Sequence, residues 1–371
     1  MNRNEIIVIH GEDIAAMTRR LLKEADLASM IGEQRKRIGI KPNLVGAYPA
    51  EDGATTHPAI VEELIRYLQE NGFRDITILE GSWVGDRTED AFEVCGYTAL
   101  AKAYDVRLVD TQKDTAHEED CEGIKLWICD SVRSIDFLIN VPVLKGHCQT
   151  RMTCALKNMK GLIPNKEKRR FHTMGLHKPI AHLNTRIRQD FILVDSICGD
   201  WDFEDGGNPV VTNRMYAAKD PVLCDAFGCR LLSREVSEVP YIGMAESLGA
   251  GSADLAHADI RYLNAPKSGT GEAPAASRVL RLAEKAEEID SCSACYGYLI
   301  PALDMLDREG LLDQLDEKVC LGQGYRGLTG TLGIGTCTRE FSCNLLGCPP
   351  VESEIYEFLK DYILKKKKDE T

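Results

Sequence analysis

The chain has 371 residues, 44% of them apolar and 6% aromatic, with a formal net charge of −13. That length exceeds what one core normally fills, so two domains are expected; the acidic balance, without interleaved aromatic and basic residues, excludes nucleic acid or a membrane surface as partner. The N-terminal apolar run is too short for a signal peptide and no stretch reaches the roughly 18 uncharged apolar residues of a membrane helix, so a cytoplasmic location is expected.

In chain order, residues 5–9 (EIIVI) read as a buried strand and 14–25 as a helix. Strands follow at 37–41, 75–79, 106–109, 124–129 and 137–141, with helices at 58–72 and 88–104. Ile60, Leu64 and Leu68 share one helix face, and Asn71-Gly72 closes that helix. Strands alternating with helices of this length define an α/β fold: a largely parallel sheet with helices on both faces. Ligands in such sheets bind beyond the carboxyl ends of strands. Three polar clusters fall there: Lys41-Pro42-Asn43, Glu80-Gly81-Ser82, and the segment 142–147 ending in Lys145, Gly146 and His147. The loop 53–58 (GATTHP) puts Thr56 and His57 at a helix N-terminus, where free N–H groups favour an anion. Ordinary capping with Pro58 at the first helical position accounts for the same residues.

Residues 140–188 carry eleven Lys/Arg against one acid, Glu167, and four of the eight histidines. A reversal of charge inside an acidic protein points to an anion site. A solvated basic face is the competing reading, and the apolar and small residues between the charges weigh against it. Residues 150–163 have helical periodicity, with Met152, Leu156, Met159 and Ile163 on the apolar side and Thr150, Thr153, Cys154, Lys157 and Gly161 opposite. Lys157 and Lys160 also suit the C-terminal end of a helix dipole. In the functional reading, Lys41, Lys145, Lys157 and Lys160 neutralise a small anionic substrate. Asn43 and Asn158, with Thr56 and His57, orient it, and His147 or His172 transfers a proton.

Residues 191–197 and 215–218 read as strands, and Asp220 caps a helix to 232. The acidic loop 199–209, with Asp200, Asp202, Glu204 and Asp205, lacks EF-hand spacing and reads as a solvated turn. The Pro/Gly/Ser-rich stretch 264–277 is the expected linker between a domain at 1–263 and a module at 278–371.

Fourteen cysteines in a reducing compartment imply buried thiols and metal ligation rather than disulfides. Cys95, Cys121, Cys129, Cys148, Cys154, Cys198, Cys224 and Cys229 are scattered and read as small core residues. The later ones cluster around strands at 318–321 and 331–334 and a helix at 351–364, a smaller α/β cysteine module. CxxC plus two distant cysteines gives a four-thiolate set: Cys292, Cys295, Cys337 and Cys348, with Cys343 in reserve and Cys320 buried in its strand. Such a set suits a [4Fe–4S] cluster or structural zinc. The turn 322–330 (GQGYRGLTG) matches no dinucleotide or P-loop fingerprint.

KPN at 41–43, TTHP at 55–58, EG at 80–81, NVPVLKGH at 140–147, TCALKNMKGLIP at 153–164, RRFH at 169–172 and KDPVLCDAFGCRL at 219–231 stand in one order. This series, across residues 37–250, resembles the uncharacterised bacterial and archaeal family called domain of unknown function 362. The resemblance implies an α/β domain, frequently accompanied by an iron–sulfur module, without a settled reaction, and it tilts the metal toward the cluster. The chain departs from many relatives in lacking their eight-cysteine ferredoxin insert. The family's layout is also similar, at the level of fold, to the nickel-dependent lactate racemase group. Three functions stay open: an iron–sulfur oxidoreductase of anaerobic-type metabolism acting on a small anion, a non-catalytic electron-transfer or metallocofactor-handling protein with a protein partner, and a redox-neutral racemase or lyase with a structural metal.

Overall fold

The computed structural model describes residues 1–204, 206, 209–265, 278–291 and 293–369. It divides into two compact units, Met1–Pro274 and Ala275–Thr371. From residue 266 onward the expected linker lies outside the described residues.

The large unit is built in chain order from β1 (Glu5–His10), β2 (Ile38–Pro42), β3 (Ile76–Glu80) and β4 (Arg107–Asp110). A hairpin of β5 (Ala116–Asp120) and β6 (Lys125–Cys129) follows, then β7 (Phe137–Val141). A second hairpin, β8 (Lys145–His147) with β9 (Arg151–Thr153), precedes β10 (Phe191–Asp200), β11 (Pro209–Ala218) and β12 (Asp259–Tyr262). Eight of these form one sheet in the order β12-β1-β11-β10-β7-β2-β3-β4. Its neighbours pair in parallel except at β11, which runs antiparallel to β1 and β10.

Burial on both faces explains the unbroken apolar runs in these strands. Ile6 and Val8 join one core while Ile7 and Ile9 join the other, and Ile192 and Val194 separate from Phe191 and Leu193 in the same way. Helices Ile14–Glu24, Pro58–Glu70 and Tyr97–Tyr104 cover one face, and Pro221–Leu231 and Pro240–Ser247 the other. Asp220 caps Pro221–Leu231 by accepting from the N–H groups of Val222 and Leu223 at 2.9 and 3.1 Å.

Two expectations change. The strand at 124–129 pairs with β5 outside the large sheet, because Lys125 and Trp127 alternate with buried residues and β5 (AHEED) is too charged for two-sided burial. Residues 150–163 are not one helix. Residues 151–153 return along Lys145–His147 as β9, helix occupies only Ala155–Asn158, and a tighter turn runs Met159–Leu162. The helix starts where Asp225 takes the N–H groups of Ala155 and Leu156 at 2.8 and 3.3 Å. Both sides of the segment are buried, so helical periodicity had no exposed face to report.

β2, β3 and β4 step in one direction across the sheet, and the chain then returns to lay β7 on the other edge of β2. That reversal opens a crevice at the carboxyl ends of β2 and β7, where open α/β sheets bind ligands.

The C-terminal unit has four three-residue strands, β13 (Ala286–Glu288), β14 (Val319–Leu321), β15 (Leu332–Ile334) and β16 (Cys343–Leu345), parallel and in chain order. Helix Ser293–Arg308 buries Leu299, Leu303 and Leu306, and helix Glu352–Asp369 buries Ile355, Leu359 and Ile363. Among the described residues no helix is long and apolar enough to cross a membrane.

Candidate functional site

A cavity of about 90 Å³ lies at the carboxyl ends of β2 and β3, walled by the β8–β9 hairpin and the turn at 157–161. Its floor is a chain of amides. Asn43 Nδ2 donates to Asn158 Oδ1 (2.8 Å), Asn158 Nδ2 to Asn140 Oδ1 (2.7 Å), Asn140 Nδ2 to Gln189 Oε1 (2.6 Å) and Gln189 Nε2 to Asn184 Oδ1 (2.7 Å). Asn184 ends the series on the carbonyls of Leu156 and Ile180, both at 2.9 Å. At the cavity end, Asn43 Oδ1 is buried and has no donor among the described residues.

Above the floor sits a buried ion pair. Lys41 Nζ donates to Glu80 at 2.8 Å, to the Pro42 carbonyl at 2.7 Å and to Asn158 Oδ1 at 3.2 Å. Burial pushes the Lys41 ammonium down, and Glu80 draws it back up. Glu80 also takes the N–H groups of Leu44 and Gly81, both at 2.7 Å. The spacing of Lys157, Asn158 and Gly161 has a steric basis. A Cβ on Gly161 would strike Glu80 Oε1 and come within 2.6 Å of Lys41 Nζ. Only glycine lets the turn carrying Lys157 and Lys160 close over the pair.

The lysines fall into two groups. Lys168 donates to the carbonyls of Gly81 (2.9 Å) and Ser82 (2.8 Å), and Lys145 to those of Ala54 and Glu204. Lys157 has Thr153 Oγ1 at 3.2 Å, and Lys160 Nζ has neither hydrogen bond nor ion pair among the described residues. Both face the cavity half-buried. Burial, then the neighbouring Lys157 charge, brings Lys160 down to about 7, and burial brings Lys168 down to about 8.

His147 Nδ1 accepts from the N–H groups of Gln149 (3.1 Å) and Thr150 (3.2 Å), so the ring proton sits on Nε2 and is donated to Glu204. Burial lowers His147 to about 4 and His172 to about 3. Burial alone would raise the Glu204 carboxyl, but His147, Lys157 and Lys160 pull it below the usual carboxylate range.

Of the residues read from sequence, Lys41, Asn43, His147, Lys157, Asn158, Lys160 and His172 line this one cavity. Lys145, Thr56 and His57 lie outside its lining. Thr56 Oγ1 bridges the Asn43 N–H (2.7 Å) and the Val141 carbonyl (2.8 Å), and His57 holds Asp195 through both Nδ1 and its backbone N–H at 2.8 Å. The Asp195 charge raises His57 against the lowering effect of burial. Glu204 and Lys168 were not foreseen. The loop at 199–209 is no solvated turn: Glu204 faces the cavity, and buried Asp200 caps the N–H groups of Asp202 and Phe203. Residues 205, 207 and 208 are outside the described residues. An acid in a basic neighbourhood, the one signal available for Glu204, appears only after folding, since 56 residues separate it from Cys148.

In the C-terminal unit, Cys292 lies outside the described residues. Cys295 opens helix Ser293–Arg308, and Cys337 and Cys348 follow the carboxyl ends of β15 and β16. The last two segments are tied by Thr336 N–H to the Gly347 carbonyl at 2.8 Å. A Cβ on Gly335, at φ +89°, would lie 3.8 Å from Cys295 Sγ and 3.7 Å from the Gly347 carbonyl oxygen, so these loops meet around a bare backbone. Cys343 begins β16 opposite Leu332, at the other end of the sheet. Cys320 is half-buried in β14. Thiols at one sheet end are soft donors of the kind that metals such as zinc and iron take. Among the described residues, the two groups whose ligand atoms lie within 4.8 Å of one another are His147, Cys148 and Glu204, and the fully buried Cys154, Cys224 and Asp225; Cys295, Cys337 and Cys348 form no such group. The first faces two lysines, whose charges oppose a cation. The second is sealed in the core, where burial pushes Asp225 up to about 7.

The open, mostly parallel sheet with a charged cavity at its switch point defines a protein of the α/β class. The family model for domain of unknown function 362 (DUF362) matches residues 38–230, and the chain belongs to that family. It is 24% identical over 221 residues to the thylakoid-associated protein sll1697 of Synechocystis sp., a match covering 57% of this chain and 68% of that one. Among solved structures it is similar to the lactate racemase apoprotein of Thermoanaerobacterium thermosaccharolyticum, with a TM-score of 0.41, 15% identity, and coverage of 63% of this chain and 57% of that one.

Proposed function

We propose that this chain is an iron–sulfur enzyme that binds a small carboxylated or phosphorylated anion in the β2–β3–β7 cavity and moves a proton on it. One observation carries the reading: Lys157 and Lys160 line the cavity with no carboxylate within 4.0 Å among the described residues, beside Lys41 and Lys168, whose ammonium groups are already held by protein oxygens. The lining carries four lysines against Glu80 and Glu204, with both histidines neutral, an excess that an anion would balance. The anion would replace the water that these two ammonium groups lost on folding. Lys160, titrating at about 7, can accept or release a proton near neutral pH. Glu204 holds the His147 ring, and Leu44, Val45 and Trp83 supply apolar surface to the lining.

In this reading Cys292, Cys295, Cys337 and Cys348 hold a [4Fe–4S] cluster, with zinc as the alternative occupant. The donor set and the side-chain-free backbone at Gly335 support it. When bound, the cluster supplies one-electron chemistry, and an electron-transfer protein is its natural partner. A reducing, cytoplasmic setting accords with so many free thiols. The test is titration calorimetry of anaerobically purified protein against lactate, pyruvate and phosphate, with iron and zinc analysis alongside. An anion bound by wild type and lost in Lys157→Met, together with about four irons per chain, supports the reading. Failure of every anion to bind would sink it.

A further inference from the structure

Lys160 differs from every other lysine of the cavity. Its Nζ has no protein partner among the described residues, whereas an ammonium kept only as a charge is usually fixed by acceptors, as Lys41, Lys145 and Lys168 are. It is three residues from Lys157 on one tight turn, so a second cation stands beside it. A desolvated amine next to another cation is the environment that makes lysine a nucleophile toward carbonyls. We infer that Lys160 forms an imine with the carbonyl of a small 2-oxo acid, whose carboxylate is held by Lys157. The inference rests on the anion-binding reading above and names the substrate class of that site.

The step balances without any further reactant. The neutral Lys160 amine attacks the carbonyl carbon, the C–O π bond opens, and a carbinolamine forms. Its hydroxyl then leaves as water while the nitrogen pair makes the C=N bond. The two hydrogens of the water come, in sum, from the amine; the Lys157 ammonium lends a proton to the departing oxygen and recovers one from nitrogen. Lys157 has three N–H groups, one on Thr153, which leaves two for this work. A second observation points to the same intermediate. The carbinolamine carries an O–H, and Asn43 Oδ1 is a buried acceptor in the cavity lining with no donor among the described residues. The charged groups facing Lys160 act together on its reactivity. Burial first, then Lys157 and Lys168, bring the amine down so that a neutral fraction is present near pH 7, Glu204 opposes them, and the Lys41–Glu80 pair is self-compensated.

The full-length chain is treated with pyruvate and sodium cyanoborohydride at pH 7, then analysed by intact mass and peptide mapping. One reductively trapped adduct per chain on Lys160 is expected, and none with lactate, which has no carbonyl. Lys160→Arg keeps the cation but cannot form an imine, so trapping should fall at least about tenfold. On wild type, excess phosphate should suppress the Lys160 adduct, a check that needs no variant. Pyruvate that binds without an adduct on Lys160, or an adduct undiminished in Lys160→Arg, overturns the imine and leaves anion binding standing. Absence of binding by lactate, pyruvate and phosphate alike overturns both.

Discussion

The large unit and the C-terminal unit follow the same architectural rule and reach opposite chemistry. Each puts its candidate reactive groups at the carboxyl ends of parallel strands. In the large unit all eight cysteines are buried, and burial pushes the Cys121 thiol up to about 11 and those of Cys129 and Cys198 to about 12. Those thiols are packing atoms, and the groups left poised are amines short of water. In the C-terminal unit the five described cysteines are half-buried or exposed. Access to water and to a ligand, rather than residue type, separates a core thiol from a candidate metal thiolate.

The largest test of that contrast is metal content. Replacing Cys337 and Cys348 together with Ser should remove nearly all bound metal, whereas Cys154→Ala or Cys343→Ser should leave it within error, as read by elemental analysis. Metal lost from Cys154→Ala instead would move the centre into the core. Next comes Lys157→Met with Lys160→Met. Two charge-assisted contacts, at about 1.5–3 kcal/mol each, predict anion affinity at least about a hundredfold weaker by calorimetry, with metal content unchanged. Glu80→Ala strands the Lys41 ammonium in the interior and should destabilise the large unit by about 3–5 kcal/mol in urea unfolding. A near-neutral result would mean that Lys41 sheds its proton.

The smallest effect is one of pH. Lys160 and Lys168 titrate at about 7 and about 8, below unfolded lysine, so the unfolded chain binds more protons between those values and the ordinary one. Their contribution to stability therefore rises with pH across that window. Anion affinity runs the other way, being full below about 7 and falling as Lys160 loses its charge, with proton uptake on binding just above that pH. Calorimetry in buffers of different ionisation enthalpy would detect the uptake, and binding indifferent to pH from 6 to 9 would exclude Lys160 from the anion's contacts.

The sheet was legible because buried parallel strands are apolar throughout and end abruptly in polar residues. That edge marks Lys41, Asn43 and His147 as neighbours from the sequence. The turn bearing Lys157, Asn158 and Lys160 was recognised by its residues but given the wrong shape, since a hairpin and a cap from Asp225 override helical periodicity in a segment buried on both sides. Lys145 shows the limit of residue type. Its amine, expected to neutralise the anion, is held by the Ala54 and Glu204 carbonyls, contacts set by chain segments 91 and 59 residues away. Glu204 was invisible for the same reason, because its partner His147 comes from a different strand connection.

The amide chain beneath the cavity has a consequence of its own. Asn43, Asn158, Asn140, Gln189 and Asn184 all hand their N–H along in one sense and end on two helix carbonyls. None of the five can gain or lose a proton near neutral pH, and none can turn over without breaking its neighbours' bonds. The cavity thus stands on a base whose polarity is fixed by connectivity, while its walls change charge. A ligand hydroxyl given to Asn43 would complete the row from its open end and would meet the same acceptor at pH 6 as at pH 9.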